Sequence, residues 1–250
     1  MIYLHYFPGN ASMIPHILLE ELGIAFELVL VDRTQNLHKS ADYLKLNPNG
    51  KIPTLVQTFP AQPGQPAQSA KPDLVLYESA AICLHLSDTH PEAGLAPAVG
   101  SHARAHCYKW LLWLSNTFQP DIMMYYYPER YVISSDPQVV KEVSQQAEAR
   151  IGGHLAQLDS ELARVARVTQ AVKHPVVQPG KESNASGPWL LGTQFSILDP
   201  YLFTLCRWTR NFTARPARSY PQLGPYLQRM LARPSVQRVL ATEQLAEPFV

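Results

Sequence analysis

Residues 47–53 read Asn-Pro-Asn-Gly-Lys-Ile-Pro, and the apolar run Ile52–Val56 follows at once. Asn-Pro and Asn-Gly are turn dipeptides, and the β-branched run after them reads as a strand. Pro53 therefore stands where a chain enters a sheet, and it withholds one ladder hydrogen bond. Two readings of the Ile52–Pro53 bond are open. A trans bond makes an ordinary edge proline. A cis bond, found in ~5–6% of X–Pro bonds, would turn the N–H and C=O of Ile52 toward an extended peptide ligand.

Upstream of this stretch, Ile2–Phe7 is β-rich and is broken by Pro8-Gly9-Asn10. Met13, Ile17, Leu18 and Leu22 then recur at helical spacing until Gly23. Phe26–Val31 reads as a second strand and His38–Leu46 as a short helix. Downstream, Leu74–Tyr77 reads as a fourth strand and Glu78–Leu86 as a helix. The order βαβαββα is that of a small α/β unit of the thioredoxin type over 1–90. Residues 57–73, rich in Pro, Gln and Ala, interrupt what would be a hairpin and read as a surface insertion.

Residues 91–100 (PEAGLAPAVG) read as a linker, and 101–250 as an all-α domain. Candidate helices there run over Ala103–Tyr126, with Pro120 as a possible kink, and over Val139–Val165, Phe195–Trp208, Tyr226–Leu231 and Ser235–Thr242. Val172–Pro188 reads as a loop.

Composition limits the function. The chain has 250 residues, 46% of them hydrophobic, and a net charge of +1. Such a balance gives no electrostatic footprint for nucleic acid. No apolar run approaches the ~18 residues of a membrane span, and the N-terminus lacks a cationic, leader-like start. Cys83, Cys107 and Cys206 are odd in number and form no metal-ligand spacing. The expectation is a cytoplasmic protein without metal.

Three loops carry candidate chemistry. Pro8-Gly9-Asn10-Ala11-Ser12 precedes a helix N-terminus, where unpaired N–H groups and the positive dipole end favour an anion. Ser12 is either the N-cap or a hydroxyl donor to a bound thiolate. Glu78-Ser79 opens another helix, where Ser79 suits a carboxylate and Glu78 an ammonium group, the two ends of an α-amino acid. The alternative is a capped helix with an acidic start. The 47–53 stretch is the third.

Together, in this order, the motifs resemble those of the soluble glutathione transferases. Asn47–Pro53 is similar to the family's N-P-x-x-x-[IV]-P stretch, Glu78-Ser79 to its [DEQ]-S pair, and Ser196-Ile197-Leu198-Asp199 to the capping box that starts a core helix of its second domain. The resemblance implies a thioredoxin-like domain followed by a helical bundle, with glutathione as co-substrate and a homodimeric assembly. It implies a cis Ile52–Pro53 bond, backbone pairing of Ile52 with the cysteinyl unit, Glu78 and Ser79 on the γ-glutamyl head, and His38 and Lys51 on the glycine carboxylate. Pro8–His16 resembles the bacterial beta-class stretch P-G-A-C-S-x-x-x-H, but Ala11 stands where that class has cysteine. A protein–glutathione mixed disulfide is thereby excluded at that position. Ser12 is then the first candidate for activating the thiol, Asn10 the second and Tyr6 the third. Trp113, Asn116 and Tyr125 on the first long helix are candidates for holding a small hydrophobic electrophile, with bundle core as the other role open to Trp113. Two further functions stay open: a glutathione-dependent disulfide or peroxide reductase, and a non-catalytic binding module.

Overall fold

The computed structural model describes residues 1–59, 72–171 and 187–250. The expected 57–73 insertion and 172–188 loop thus lie mostly outside the described residues. The chain divides into two compact units, 1–93 with 234–245, and 94–233 with 246–250.

In the first unit the expected element order holds. Strands β1 (Ile2–Tyr6), β2 (Phe26–Leu30), β3 (Thr54–Gln57) and β4 (Leu74–Tyr77) form one sheet in the order β2-β1-β3-β4. β1 pairs parallel to β2, and β3 is antiparallel to both β1 and β4. Alternation along β1 sends Ile2 and Leu4 into the core. Ile14, Ile17 and Leu18 of α1 (Met13–Leu22) and Ile82 and Leu86 of α3 (Ser79–Thr89) are buried too, and the two helices pack on each other. α2 (Ala41–Leu46) is capped by Ser40, whose hydroxyl accepts from the Tyr43 N–H. It is preceded by a 3-10 turn, Leu37–Lys39, so the expected single helix from His38 is two pieces.

The boundary departs from expectation. The final helix, α9 (Pro234–Thr242), packs against α1 in the first unit rather than joining the helical domain. Its buried Val236, Val239 and Leu240 supply the apolar face, and Arg238–Glu20 and Ser235–Glu21 contacts flank it.

The second unit contains α4 (His102–Trp113), α5 (Gln119–Tyr126), α6 (Pro137–Ala171), α7 (Leu198–Trp208) and α8 (Leu223–Leu231). The expected continuous helix 103–126 is interrupted by a π-helical turn over Leu114–Phe118, with the Gln119 N–H reaching back to the Leu114 carbonyl. Pro120 explains it. A proline has no N–H for a carbonyl in the turn before it, and its ring crowds that turn, so the helix widens just upstream. α6 buries Ala147, Ile151, Leu155, Leu158, Leu162 and Val165, one stripe at helical spacing.

Asp199 fixes the start of α7. It has no exposed surface and accepts from the Ser196 N–H (2.7 Å), the Leu190 N–H (3.1 Å), the Tyr226 hydroxyl (3.0 Å) and the Ser196 hydroxyl (3.1 Å). The Ser196 hydroxyl accepts in turn from the Leu198 N–H, the reciprocal capping expected. Burial pushes the Asp199 carboxyl up to about 6, against the downward pull of those donors. The folded chain therefore holds this proton more tightly than the unfolded one, where aspartate ionises near ~3.9. The group's stabilising contribution is full below ~pH 4 and is lost as pH rises through about 6. The stability of the wild type, measured against the non-titrating Asp199→Asn, should fall by about 2 kcal/mol from ~pH 4 to ~pH 7. A pH-independent difference in denaturant melts would contradict this.

Candidate functional site

The sheet register brings the sequence's candidate loops to one end of the first unit. Tyr6 is opposite Leu30, His5 opposite Thr54, and Thr54 opposite Tyr77. The segments that follow β1, β2 and β4 and the one that precedes β3 therefore leave the sheet on the same side. They carry Asn10 and Ser12, His38, Glu78 and Ser79, and Lys51 and Ile52, respectively. Binding groups on loops over a rigid sheet are a common arrangement.

The 47–53 segment is tightly built. The Asn47 side chain, 1% exposed, donates to the Lys51 carbonyl (2.8 Å) and accepts from the Asn49 N–H (3.1 Å). The Tyr43 hydroxyl donates to the same Lys51 carbonyl (2.7 Å) and lies 2.9 Å from the Thr54 hydroxyl. Gly50 has φ +54°, and a Cβ there would sit 2.8 Å from the His38 carbonyl, so only glycine lets this turn lie against the 37–39 turn. Lys39 adds a bond to the Asn49 carbonyl (3.3 Å). This packing sets His38, half-buried, near the exposed Lys51. The Ile52–Pro53 bond is cis, as the resemblance implied, and Ile52 precedes the first paired residue of β3. Tyr43 and Lys39 carry no signal in the sequence, and Asn47 carries one only as the first residue of a turn motif. Only their fold neighbours give them these parts.

Glu78 links β4 to α3 with φ +72° and ψ +113°. A non-glycine residue there costs about 1–3 kcal/mol. The sharp turn leaves Glu78 exposed while Ser79, 7% exposed, begins the helix. A carboxylate and a helix N-terminus thus stand side by side, a pairing suited to an ammonium and a carboxylate on one carbon.

The three candidate activating residues differ in availability. Ser12 has no exposed surface. Its hydroxyl accepts from the Phe7 N–H (3.3 Å) and donates to the Phe7 carbonyl (3.2 Å), so both functions of the oxygen close the loop on itself. It makes no side-chain cap to α1 either. The hydroxyl is thus directed at the loop's own backbone. Asn10 is partly exposed. Its Oδ1 accepts from the Ala11 N–H (2.6 Å), which leaves the donor end of the carboxamide pointing away from that bond. Tyr6 ends β1 with its ring 6.4 Å from His16, and burial, then the Glu243 charge, push its phenol upward. It stays a neutral phenol. Ala11 is buried.

The residues expected to hold an electrophile have separate ring partners. Trp113 packs with Trp110 (5.4 Å), Phe118 (5.9 Å) and His154 (5.2 Å), while Tyr125 lies on Phe212 (4.2 Å). Asn116 is exposed in the π-helical turn and accepts from the Ser115 hydroxyl. No ring contact among the described residues joins Trp113 to Tyr125. Trp113 is half-buried among these rings. Among the described residues no cluster of His, Cys, Asp or Glu could hold a metal ion, and no helix is long and apolar enough to cross a membrane.

Comparison with known proteins agrees with the geometry. The profile of the glutathione S-transferase N-terminal domain matches residues 11–89. Glutathione S-transferase GstA of Escherichia coli O157:H7 is 27% identical, over 97% of this chain and 98% of that protein. Disulfide-bond oxidoreductase YfcG of Escherichia coli K12 is 25% identical over 99% and 98%. The structure of a sphingomonad glutathione S-transferase complexed with glutathione superposes with a TM-score of 0.67, at 29% identity over 98% of this chain and 100% of that one.

Proposed function

We propose that the chain is a member of the glutathione S-transferase family, to which it is similar, and that it binds glutathione on its first unit and ionises the thiol for attack on a small hydrophobic electrophile. The observation that carries the reading is the register that gathers 7–12, 37–39, 47–53 and 78–79 at one sheet end. The γ-glutamyl carboxylate goes to the α3 N-terminus and the Ser79 hydroxyl, and its ammonium to Glu78. The cysteinyl backbone runs beside Ile52, with Pro53 behind it, and the glycine carboxylate meets Lys51 and His38. The thiol lies at the β1–α1 loop, where Asn10 donates to the sulfur. Supporting Asn10 over Ser12 is the enclosed, fully engaged Ser12 hydroxyl. The same reading makes the protein a cytoplasmic homodimer.

A thiol ionises near ~8.5 in water. A donor fixed at the sulfur stabilises the thiolate over the thiol, and lowering the pKa by ~2 units corresponds to about 2.7 kcal/mol. The thiolate then forms a C–S bond to the electrophilic carbon, and the leaving group departs or an alkene takes up the pair and a proton. Calorimetric titration with glutathione, followed by ultraviolet thiolate absorbance, tests this. Binding with thiolate at neutral pH is expected; the absence of heat at saturating glutathione would overturn it.

A second reading has one observation behind it, the similarity to a protein named as a disulfide-bond oxidoreductase. Glutathione thiolate would attack a disulfide, releasing one thiolate. A second glutathione would then attack the mixed disulfide, leaving oxidised glutathione and the second thiol. No protein cysteine is needed, in keeping with the buried Cys83, Cys107 and Cys206. Turnover of a small disulfide faster than of any electrophile would favour this reading.

A further inference from the structure

A buried carboxylate from the far end of the first unit holds the loop that carries Asn10. Glu243 follows α9 and is 2% exposed. Its Oε2 accepts from the Gly9 N–H at 2.8 Å, and its Oε1 from His16 Nδ1 at 2.8 Å. His16 has no exposed surface, and its Nε2 meets no hydrogen-bonding partner among the described residues. This arrangement suits a ring that gives its one proton, on Nδ1, to Glu243. Tyr6 is the third titratable side chain at this place.

The carboxylate is aimed by its own backbone. After α9 the Leu245 N–H returns to the Leu240 carbonyl and the Gln244 N–H to the Ala241 carbonyl, with Gln244 left-handed at φ +51°. This is a Schellman ending built on a residue other than glycine, and Glu243 occupies the last helical cap. The turn lays Leu245 over Gly9, whose φ is +69°. An apolar residue would cover α1 equally well, and buried charge brings little net stability. What the carboxylate adds is direction, since its two oxygens tie Gly9 to His16 of α1.

We propose that Glu243 is a positioning residue for thiol activation: by holding the Gly9 N–H it fixes the adjacent Asn10 against the bound sulfur. The proposal rests on the glutathione reading above. Asn10 has its own local bonds, Asn10 N–H to the Phe7 carbonyl (3.1 Å) and Met13 N–H to the Asn10 carbonyl (3.0 Å). These shape the turn, while Glu243 ties it to the packed helices. Loss of the tie lets the turn move as a body, and small displacements of a donor are costly to catalysis.

The test compares wild type, Glu243→Ala, Glu243→Gln, Asn10→Ala and the Asn10→Ala/Glu243→Ala double variant, by the pKa of bound glutathione and by kcat and KM. Glu243→Ala should raise the bound thiol's pKa by about one unit and lower kcat about tenfold. KM for glutathione should stay within about twofold, because the Glu78 and Ser79 contacts are untouched. Glu243→Gln should recover most of the loss. Its carbonyl can take the Gly9 N–H while its amide donates to Nδ1, once the ring proton has moved to Nε2. On the Asn10→Ala background, Glu243→Ala should add no further loss. If Glu243→Ala fails to fold, Glu243→Asp, one methylene short of spanning both partners, should give an intermediate pKa. An unmoved thiol pKa with only a lower melting temperature overturns the proposal, as does an undiminished loss on the Asn10→Ala background. Absence of thiolate in the wild type would overturn the glutathione reading itself, and is distinguishable because the wild type is measured first.

Discussion

Alanine in place of Asn10 should lower kcat/KM with glutathione by about 10²-fold and raise the pKa of the bound thiol, with little change in melting temperature. The magnitude is that of losing one fixed donor to a developing or resting anion. The small stability change follows because Asn10 is partly exposed and its Oδ1 bond reaches only the neighbouring Ala11 N–H. Ser12→Ala should behave oppositely. Its hydroxyl closes the loop on Phe7 in a fully enclosed position, so its loss leaves a buried N–H and C=O wanting and costs about 1–3 kcal/mol of stability. Titration of thiolate absorbance in the two variants separates them. If Ser12→Ala moved the thiol pKa and Asn10→Ala did not, the roles would be reversed.

Asp199→Ala should destabilise the second unit by about 3–5 kcal/mol, measured by denaturant melts. The carboxyl joins the start of α7 to the Leu190 backbone and to the Tyr226 hydroxyl, all buried. Truncation strands two backbone N–H groups away from water and leaves the Tyr226 hydroxyl only the residue's backbone carbonyl, at 3.2 Å. A loss below about 1 kcal/mol would mean that water or neighbouring groups replace the carboxyl.

The contrast between these two sites shows what a sequence discloses. The Ser196–Asp199 box is legible because its partners lie three residues apart, and Asn47–Pro53 and Glu78-Ser79 because turn and cap chemistry is local. The sheet order follows from short apolar runs separated by breakers. Ser12 was legible as a residue of the right type, but its direction depends on a rotamer set by the Phe7 backbone. The π-helical turn was half visible: Pro120 announced a disturbance, but its form, a widening over Leu114–Phe118, depends on how the neighbouring turns absorb the missing bond. Glu243 gave no local signal at all. Its partner Gly9 lies 234 positions away, and only the docking of α9 on α1 brings the two together. His16, a polar residue on the apolar helix α1, was the one hint that something charged would be needed nearby.

That the first unit takes up 234–245 also bears on its birth at the ribosome. Residues 94–233 must be synthesised before α9 exists. At ~5–20 residues per second this leaves the sheet and α1 waiting between several seconds and half a minute with one apolar flank uncovered. Most of the second unit, 94–233, can pack in that interval and lacks only 246–250, whereas the first waits for a whole closing helix, so the nascent chain has most need of a chaperone on the part that was made earliest.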